Sequence, residues 1–386
     1  MRLSIHLLIP MLVVGGATLP GKAQPFPDGK PDWDRDAAAA YLDDRMNVWF
    51  ERASELRTGD GRTCCISCHT AVPYLLARPA LRKAMHLSQP TPQEAKLLKE
   101  MGRRVDTYPD HEPLSDSKHG GERGTEAVLN ALILALHDAN EVRQQPSEHT
   151  RKAFEQLWET QRADGAWDWM NFAQEPDESA DSPYYGAALA AIAAGTAPGL
   201  LKGGEAGTES YVGKLRAYLN GKYGEQNLYR RIWMLLASTR LPGLLSRDQR
   251  EGLVAELKAK QNSDGGWSLY KLGPWRWSKT TPPFAPPGQL DLALLENSDG
   301  YATGLVAYAL RQAGMPVGDA AFTKAIEWLK VNQKEIRIEQ NTWKCWRTLS
   351  INHDREHGGA HGGAWKQLLM SDTATAFAVL ALSPAD

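Results

Sequence analysis

Gln161-Arg162-Ala163-Asp164-Gly165-Ala166-Trp167 and Gln261-Asn262-Ser263-Asp264-Gly265-Gly266-Trp267 are one phrase written twice, about a hundred residues apart. Each closes a stretch with apolar residues at helical spacing, Thr150 to Gln161 and Asp248 to Gln261, and each is followed by an irregular segment. An Ala-rich apolar helix then begins, at Asp181-Ser182-Pro183-Tyr184-Tyr185-Gly186 and at Asp299-Gly300-Tyr301-Ala302-Thr303-Gly304. The Asp can cap the first turn, and Gly at the sixth position permits close packing.

Extending this template outward predicts six polar-faced helices, at roughly 36–57, 92–106, 147–161, 209–223, 245–260 and 319–333. It also predicts six apolar helices, at roughly 68–82, 122–137, 181–194, 227–239, 299–313 and 372–383, in strict alternation with the first set. A helix apolar all round belongs in an interior, and a one-faced helix belongs outside it. The expected fold is therefore all-α, an (α/α)6 barrel or toroid of six helical hairpins. Period-two runs that would signal strands are nearly absent.

The phrase QxxxGxW resembles the repeat of terpene cyclases such as squalene–hopene cyclase, and the alternating toroid resembles that of protein prenyltransferase β-subunits. The resemblance covers roughly residues 36–385. It implies that the Gln and Trp of each phrase tie outer helices together. It does not extend to the chemistry, because no DxDD acid motif occurs. The nearest acidic cluster is Asp32-Trp33-Asp34-Arg35-Asp36, before the first helix, and Asp372-Thr373-Ala374 matches only the tail of that motif. The prenyltransferase zinc set also lacks its spacing, although Cys345 with His353, His357 or His361 imitates its residue types.

A second motif has a different origin. Cys65-Ile66-Ser67-Cys68-His69 is the CxxCH attachment signature of c-type haem, and with Thr70 the run resembles the haem segment of bacterial cytochromes c. Cys65 and Cys68 would form thioethers to the porphyrin, and His69 would be the proximal iron ligand. The alternatives are a Cys65–Cys68 disulfide or zinc binding. Cys64 and Cys345 then remain as a candidate long-range disulfide.

In the repeat register, Cys68 falls where Asp181 and Asp299 fall, at the start of the first inner helix and hence at one mouth of the barrel. Ring closure brings the sixth inner helix beside the first. The loop before it carries His353, His357 and His361, with Met370 beyond, and these are candidate distal ligands. Met85 and His86 are further candidates at the other end of the first inner helix. The alternative for the His/Gly loop is a surface segment. Glu122, Asp181, Asp299 and Asp372 recur at inner-helix starts as weak catalytic candidates, with N-capping as their structural role.

Residues 1–23 have a basic start, an apolar stretch and small residues before Gln24, which predicts a secretory signal peptide. An extended segment at 24–35 and one toroid domain at 36–386 would follow, in a periplasmic or secreted protein without a stable membrane span. Oxidising surroundings suit haem c attachment. A net charge of −2 gives no support for nucleic-acid binding. Three functions are expected as rivals. The first is a haem c protein in redox chemistry with a redox partner. The second is a haem-free toroid binding an isoprenoid or similar hydrophobic small molecule. The third, by analogy of fold alone, is a polysaccharide lyase or hydrolase.

Overall fold

A computed structural model describes residues 33–52, 68–108, 121–202, 207–276, 291–338, 340–352 and 368–383. The chain is predominantly α-helical. One set of helices is amphipathic: α1 (Arg35–Arg52), α3 (Pro92–Thr107), α5 (Glu148–Glu159), α7 (Thr208–Lys222), α9 (Arg247–Ala259) and α12 (Ala320–Val331). The other set is apolar: α2 (Ala71–Ala84), α4 (Glu122–Asn140), α6 (Pro183–Thr196), α8 (Leu228–Arg240), α11 (Gly300–Gln312) and α13 (Leu369–Leu382). A single turn, α10 (Leu292–Leu295), precedes α11.

Burial follows composition. In α1 only one face is covered, through Ala38, Tyr41, Leu42, Arg45, Met46 and Trp49, and α9 buries only Leu253 and Leu257. In α6 every residue from Tyr184 to Ala194 is buried, and in α13 every residue from Met370 to Leu382. The helices start where side chains can satisfy their first amide groups. Thr91 with Glu94 and Ser246 with Gln249 form capping boxes, while Asn227, Asp299 and Asp319 cap α8, α11 and α12.

The apolar helices pack in sequence: α2 on α4, α4 on α6, α6 on α8, α8 on α11, α11 on α13, and α13 back on α2. Gly304 makes the α11–α13 approach possible, because a Cβ there would lie 2.6 Å from the Ala378 nitrogen. Aromatic rings from four of these helices meet, edge-on for Tyr185–Trp233 and Trp233–Phe377 and tilted for Tyr301–Phe377. Tyr185–Trp233 centroids are 4.9 Å apart, and Trp233–Phe377 and Tyr301–Phe377 are each 5.6 Å apart.

The repeated phrase does the same work at both sites. Gln161 Nε2 donates to Gly165 O at 3.1 Å and to Tyr211 O in α7 at 3.0 Å. Gln261 Nε2 donates to Gly265 O and to Ala321 O in α12, each at 2.8 Å. Trp167 and Trp267 donate back to Leu157 O and Leu257 O, the ends of their own outer helices, each at 2.8 Å. A third copy is concealed in the sequence. Gln333 Nε2 donates to Asp34 O at 2.8 Å, its Oε1 accepts from Asp34 N at 2.7 Å, and Trp346 Nε1 donates to Leu329 O at 2.8 Å.

Between Gln333 and Trp346 lies an antiparallel hairpin, β1 (Lys334–Ile338) and β2 (Asn341–Cys345), which pairs Ile336 with Trp343. This hairpin is the only sheet among the described residues, in keeping with the expectation that strands are nearly absent. Ile336 and Ile338 alternate with charged residues, a period-two pattern too short to register against its helical surroundings. The hairpin leans on α1, with Trp343 edge-on to Tyr41 at 6.1 Å. No helix among the described residues is long and apolar enough to cross a membrane.

Candidate functional site at the inner-helix starts

The start of α2 is clamped by α13. Thr373 Oγ1 donates to His69 O at 3.0 Å, and Thr70 Oγ1 donates to Asp372 Oδ2 at 2.7 Å. The expected adjacency of the first and sixth inner helices is therefore present. Cys68 is 4% exposed, in the turn before α2. The His69 side chain is 16% exposed, with Nε2 3.7 Å from Glu178 Oε1.

Glu178 is presented by a tight loop between Trp167 and α6. Its amide donates to Gln174 O and its carbonyl accepts from Gln174 N, both at 3.0 Å, and Phe172 N donates to the same carbonyl at 2.9 Å. The loop is pinned from beneath by Glu175, which is fully enclosed. Arg230 Nη2 donates to Glu175 Oε2 at 2.7 Å and to Ser179 Oγ at 3.0 Å. Asn352 bonds both the amide and the carbonyl of Glu175, at 2.9 and 2.6 Å. Asn352 is the last described residue before His353.

Asp177 extends the site inward. Its carbonyl accepts from Trp169 Nε1 at 2.7 Å, and its Oδ1 accepts from Tyr229 Oη at 2.5 Å. Tyr229 Oη and Tyr301 Oη are 2.6 Å apart, which makes a carboxylate–phenol–phenol chain across the starts of α8 and α11. Burial pushes the Asp177 carboxyl up to about 6, with His69 and the Tyr229 hydrogen bond opposing the rise. Burial and the nearby Asp177 carboxyl hold the phenols of Tyr185 and Tyr229 well above their ordinary range, and the same two causes raise Tyr301. The Cys68 thiol lies within electrostatic range of Tyr185 and Tyr301, so the motif and the chain border one space.

The four acids expected at the inner-helix starts have separate settings. Asp299 caps α11 and also accepts from Leu269 N at 2.5 Å and from Thr348 Oγ1 at 2.9 Å, and burial pushes it up to about 6. Asp372 is held by Arg45 Nε at 2.6 Å, Arg45 Nη2 at 3.0 Å, Tyr41 Oη at 2.7 Å and Thr70, so both oxygens are occupied. Asp181 is partly exposed, 3.2 Å from Arg276 Nε. Glu122 opens α4, with one buried oxygen that has no partner among the described residues. None of the four joins the Asp177 chain. Asp177, Glu178, Tyr229 and Tyr301 were not expected from the sequence. The available signal was the acid-rich Gln174-Glu175-Pro176-Asp177-Glu178 run and the aromatic recurring in the first turn of α6, α8 and α11.

Cys65, Cys64, His353, His357 and His361 lie outside the described residues, as do positions 1–32, so the signal segment and the Cys64–Cys345 bridge are not described. Cys345 is a free thiol among the described residues. Cys345 sits beside Tyr41, Asp372 and Thr375, and burial pushes its thiol up to about 12. Met370 is buried in the first turn of α13, three residues before Thr373. Among the described residues no group of three His, Cys, Asp or Glu converges as a metal site.

No family model matches the chain, and no curated protein matches it. A solved structure of a glycosidase variant is 10% identical, covers 90% of this chain and 98% of its own, and superposes with a TM-score of 0.46. A likeness of that size assigns no activity.

Proposed function

We propose that the chain is an exported haem c protein built on a closed toroid of six helical hairpins, with redox or electron-transfer chemistry at one mouth. The toroid reading is supported by the cycle of inner-helix packing from α2 round to α13 and by the Gln333–Asp34 tie between the last outer helix and the first. The terpene-cyclase-like descent of the scaffold is part of the same proposal. The single observation that carries the functional reading is the position of His69. The histidine of CxxCH opens the first inner helix and faces Glu178 beside the Asp177–Tyr229–Tyr301 chain.

The residues present fit the group. Cys68 lies in the turn before α2, the His69 side chain is partly exposed with Nε2 3.7 Å from Glu178 Oε1, and the neighbouring phenols of Tyr185 and Tyr301 supply an aromatic flank. Haem c supplies one-electron chemistry at iron when bound. Cys68, with Cys65, would hold the porphyrin edge, and His69 would hold the iron. Thr373 fixes the His69 backbone through its carbonyl and so limits where the ring can point. Asp177 accepts the Tyr229 hydroxyl proton in a hydrogen bond and passes the line of phenols to Tyr301, which gives a fixed path for a proton between the mouth and the inner-helix starts.

Expression with an export signal and a c-type maturation system tests the proposal. Haem should survive denaturation with the polypeptide, detected by in-gel haem stain and intact mass, and Cys68→Ser should lose one thioether. A colourless, unmodified wild-type chain under those conditions refutes the assignment.

A further inference from the structure

We propose that Tyr229 is a redox-active tyrosine, which gives one electron to a high-potential one-electron oxidant and its hydroxyl proton to Asp177, while Tyr301 holds the phenoxyl oxygen left behind. The step balances: the Tyr229 O–H bond breaks, an O–H bond forms on Asp177 Oδ1, and the oxidant is reduced by one electron. The proposal goes beyond the haem reading and does not depend on it. A phenol that loses an electron becomes a strong acid, so a base already in contact makes the oxidation easier. Asp177 Oδ1 accepts from Tyr229 Oη at 2.5 Å, and the proton crosses within that existing hydrogen bond. A hydroxyl carries a single proton, so Tyr301 Oη is the donor across the 2.6 Å to Tyr229 Oη. The phenoxyl oxygen therefore keeps two donors, protonated Asp177 and Tyr301.

Two further tyrosines donate to carboxylates, and the contrast selects Tyr229. Tyr41 donates to Asp372 at 2.7 Å and Tyr74 to Asp43 at 2.8 Å. Arg45 and Arg78 hold those carboxylates with two hydrogen bonds each, which makes them poor bases. Near Asp177, the Arg230 guanidinium is directed instead to Glu175 and Ser179. The Asp177 carboxyl, lifted by burial to about 6, is ionised at pH 7 yet more basic than an ordinary Asp. Tyr229 itself is fully enclosed, which keeps a radical there away from reductants in solution. Its ring belongs to a continuous aromatic cluster, with centroids 5.6 Å from Trp275, 6.4 Å from Trp233 and 6.5 Å from Tyr185. Rings this close let an electron leave stepwise from a site that no oxidant touches. Trp275, the closest of the three, is 7% exposed and forms the outer end of that path.

Photochemical oxidation of the full-length chain by tris(bipyridine)ruthenium(III), followed by transient absorption and electron-paramagnetic resonance, tests the assignment. Wild-type protein should form a tyrosyl radical that lives at least tenfold longer than that of N-acetyltyrosinamide. Electron–nuclear double resonance should show two exchangeable proton couplings, one from Asp177 and one from Tyr301. Tyr229→Phe should abolish the long-lived signal, Asp177→Asn should slow its formation at least tenfold, and Tyr301→Phe should leave one exchangeable coupling. A long-lived radical of unchanged yield in Tyr229→Phe, or one formed at the wild-type rate in Asp177→Asn, overturns the proposal. The couplings are read on the wild type alone, so the test survives a variant that fails to fold. A wild-type chain that gives no long-lived tyrosyl radical, or one without exchangeable couplings, also overturns it.

Discussion

Asp372 sits where α1, α2 and α13 meet, and replacing its cationic partner tests how that corner of the fold is held. Arg45 and Asp372 side chains are each 3% exposed and share two hydrogen bonds, while Tyr41 and Thr70 take the remaining directions. Arg45→Met keeps the length of the side chain and its contact with the core but strands a carboxylate in a dry site. Breaking a buried pair from one side costs about 3–5 kcal/mol. Asp372→Leu should cost a similar amount, because a buried guanidinium then loses both hydrogen bonds to the carboxylate. The double variant removes both charges and takes from Tyr41 and Thr70 their hydrogen bonds to the carboxylate, at about 1–3 kcal/mol each. The two single effects should therefore exceed the double effect by at least ~2 kcal/mol. Urea unfolding at pH 7, followed by far-ultraviolet circular dichroism, measures all four corners of the cycle. Additive effects, or an Arg45→Met cost below about 1 kcal/mol, would refute the account of this cluster.

Other expectations follow from single residues. Gln333→Ala removes both hydrogen bonds to Asp34 and should destabilise by about 1–3 kcal/mol, with faster amide exchange at Asp34; unchanged exchange argues against a third QxxxGxW-like tie. Gly265→Ala forces a side chain onto φ +96°, with Cβ 2.8 Å from Lys324 O, and should cost roughly 1–3 kcal/mol in thermal unfolding. Burial lifts Asp177 from 3.8 to about 6, so the folded chain holds its proton more tightly than the unfolded chain does. Its contribution to stability is then greatest below pH 4 and falls as pH rises towards 6. Asp177→Asn should accordingly lose less stability than wild type between pH 4 and pH 7; an identical pH profile contradicts the burial argument.

The alternation of helices was legible because it depends on local period. Apolar residues every three or four positions mark α1, α3 and α5, and unbroken Ala/Leu runs mark α6 and α13. The third Gln–Trp tie was not legible, since the hairpin at 334–345 separates Gln333 from Trp346 and breaks the spacing that reveals the other two. The site divides along the same line. CxxCH is a contiguous motif and announces itself. Glu178 gains meaning only from His69, more than a hundred positions earlier, and Asp372 only from Arg45, separated by 327 positions. The four acids at helix starts shared a register but not a destination. Side-chain direction in the first turn sent Asp299 to its own helix cap and Asp372 to α1, which no one-dimensional alignment encodes.

The central claim is that the mouth beside His69 carries covalently attached haem. The most direct measurement is the reduced-minus-oxidised optical spectrum of the protein purified from a host with c-type maturation, before and after acid–acetone extraction. The account predicts the sharp paired visible bands of a ferrous c-type haem, retained by the polypeptide after extraction and diminished in Cys68→Ser. A flat difference spectrum, or bands that leave completely with the solvent, would contradict it.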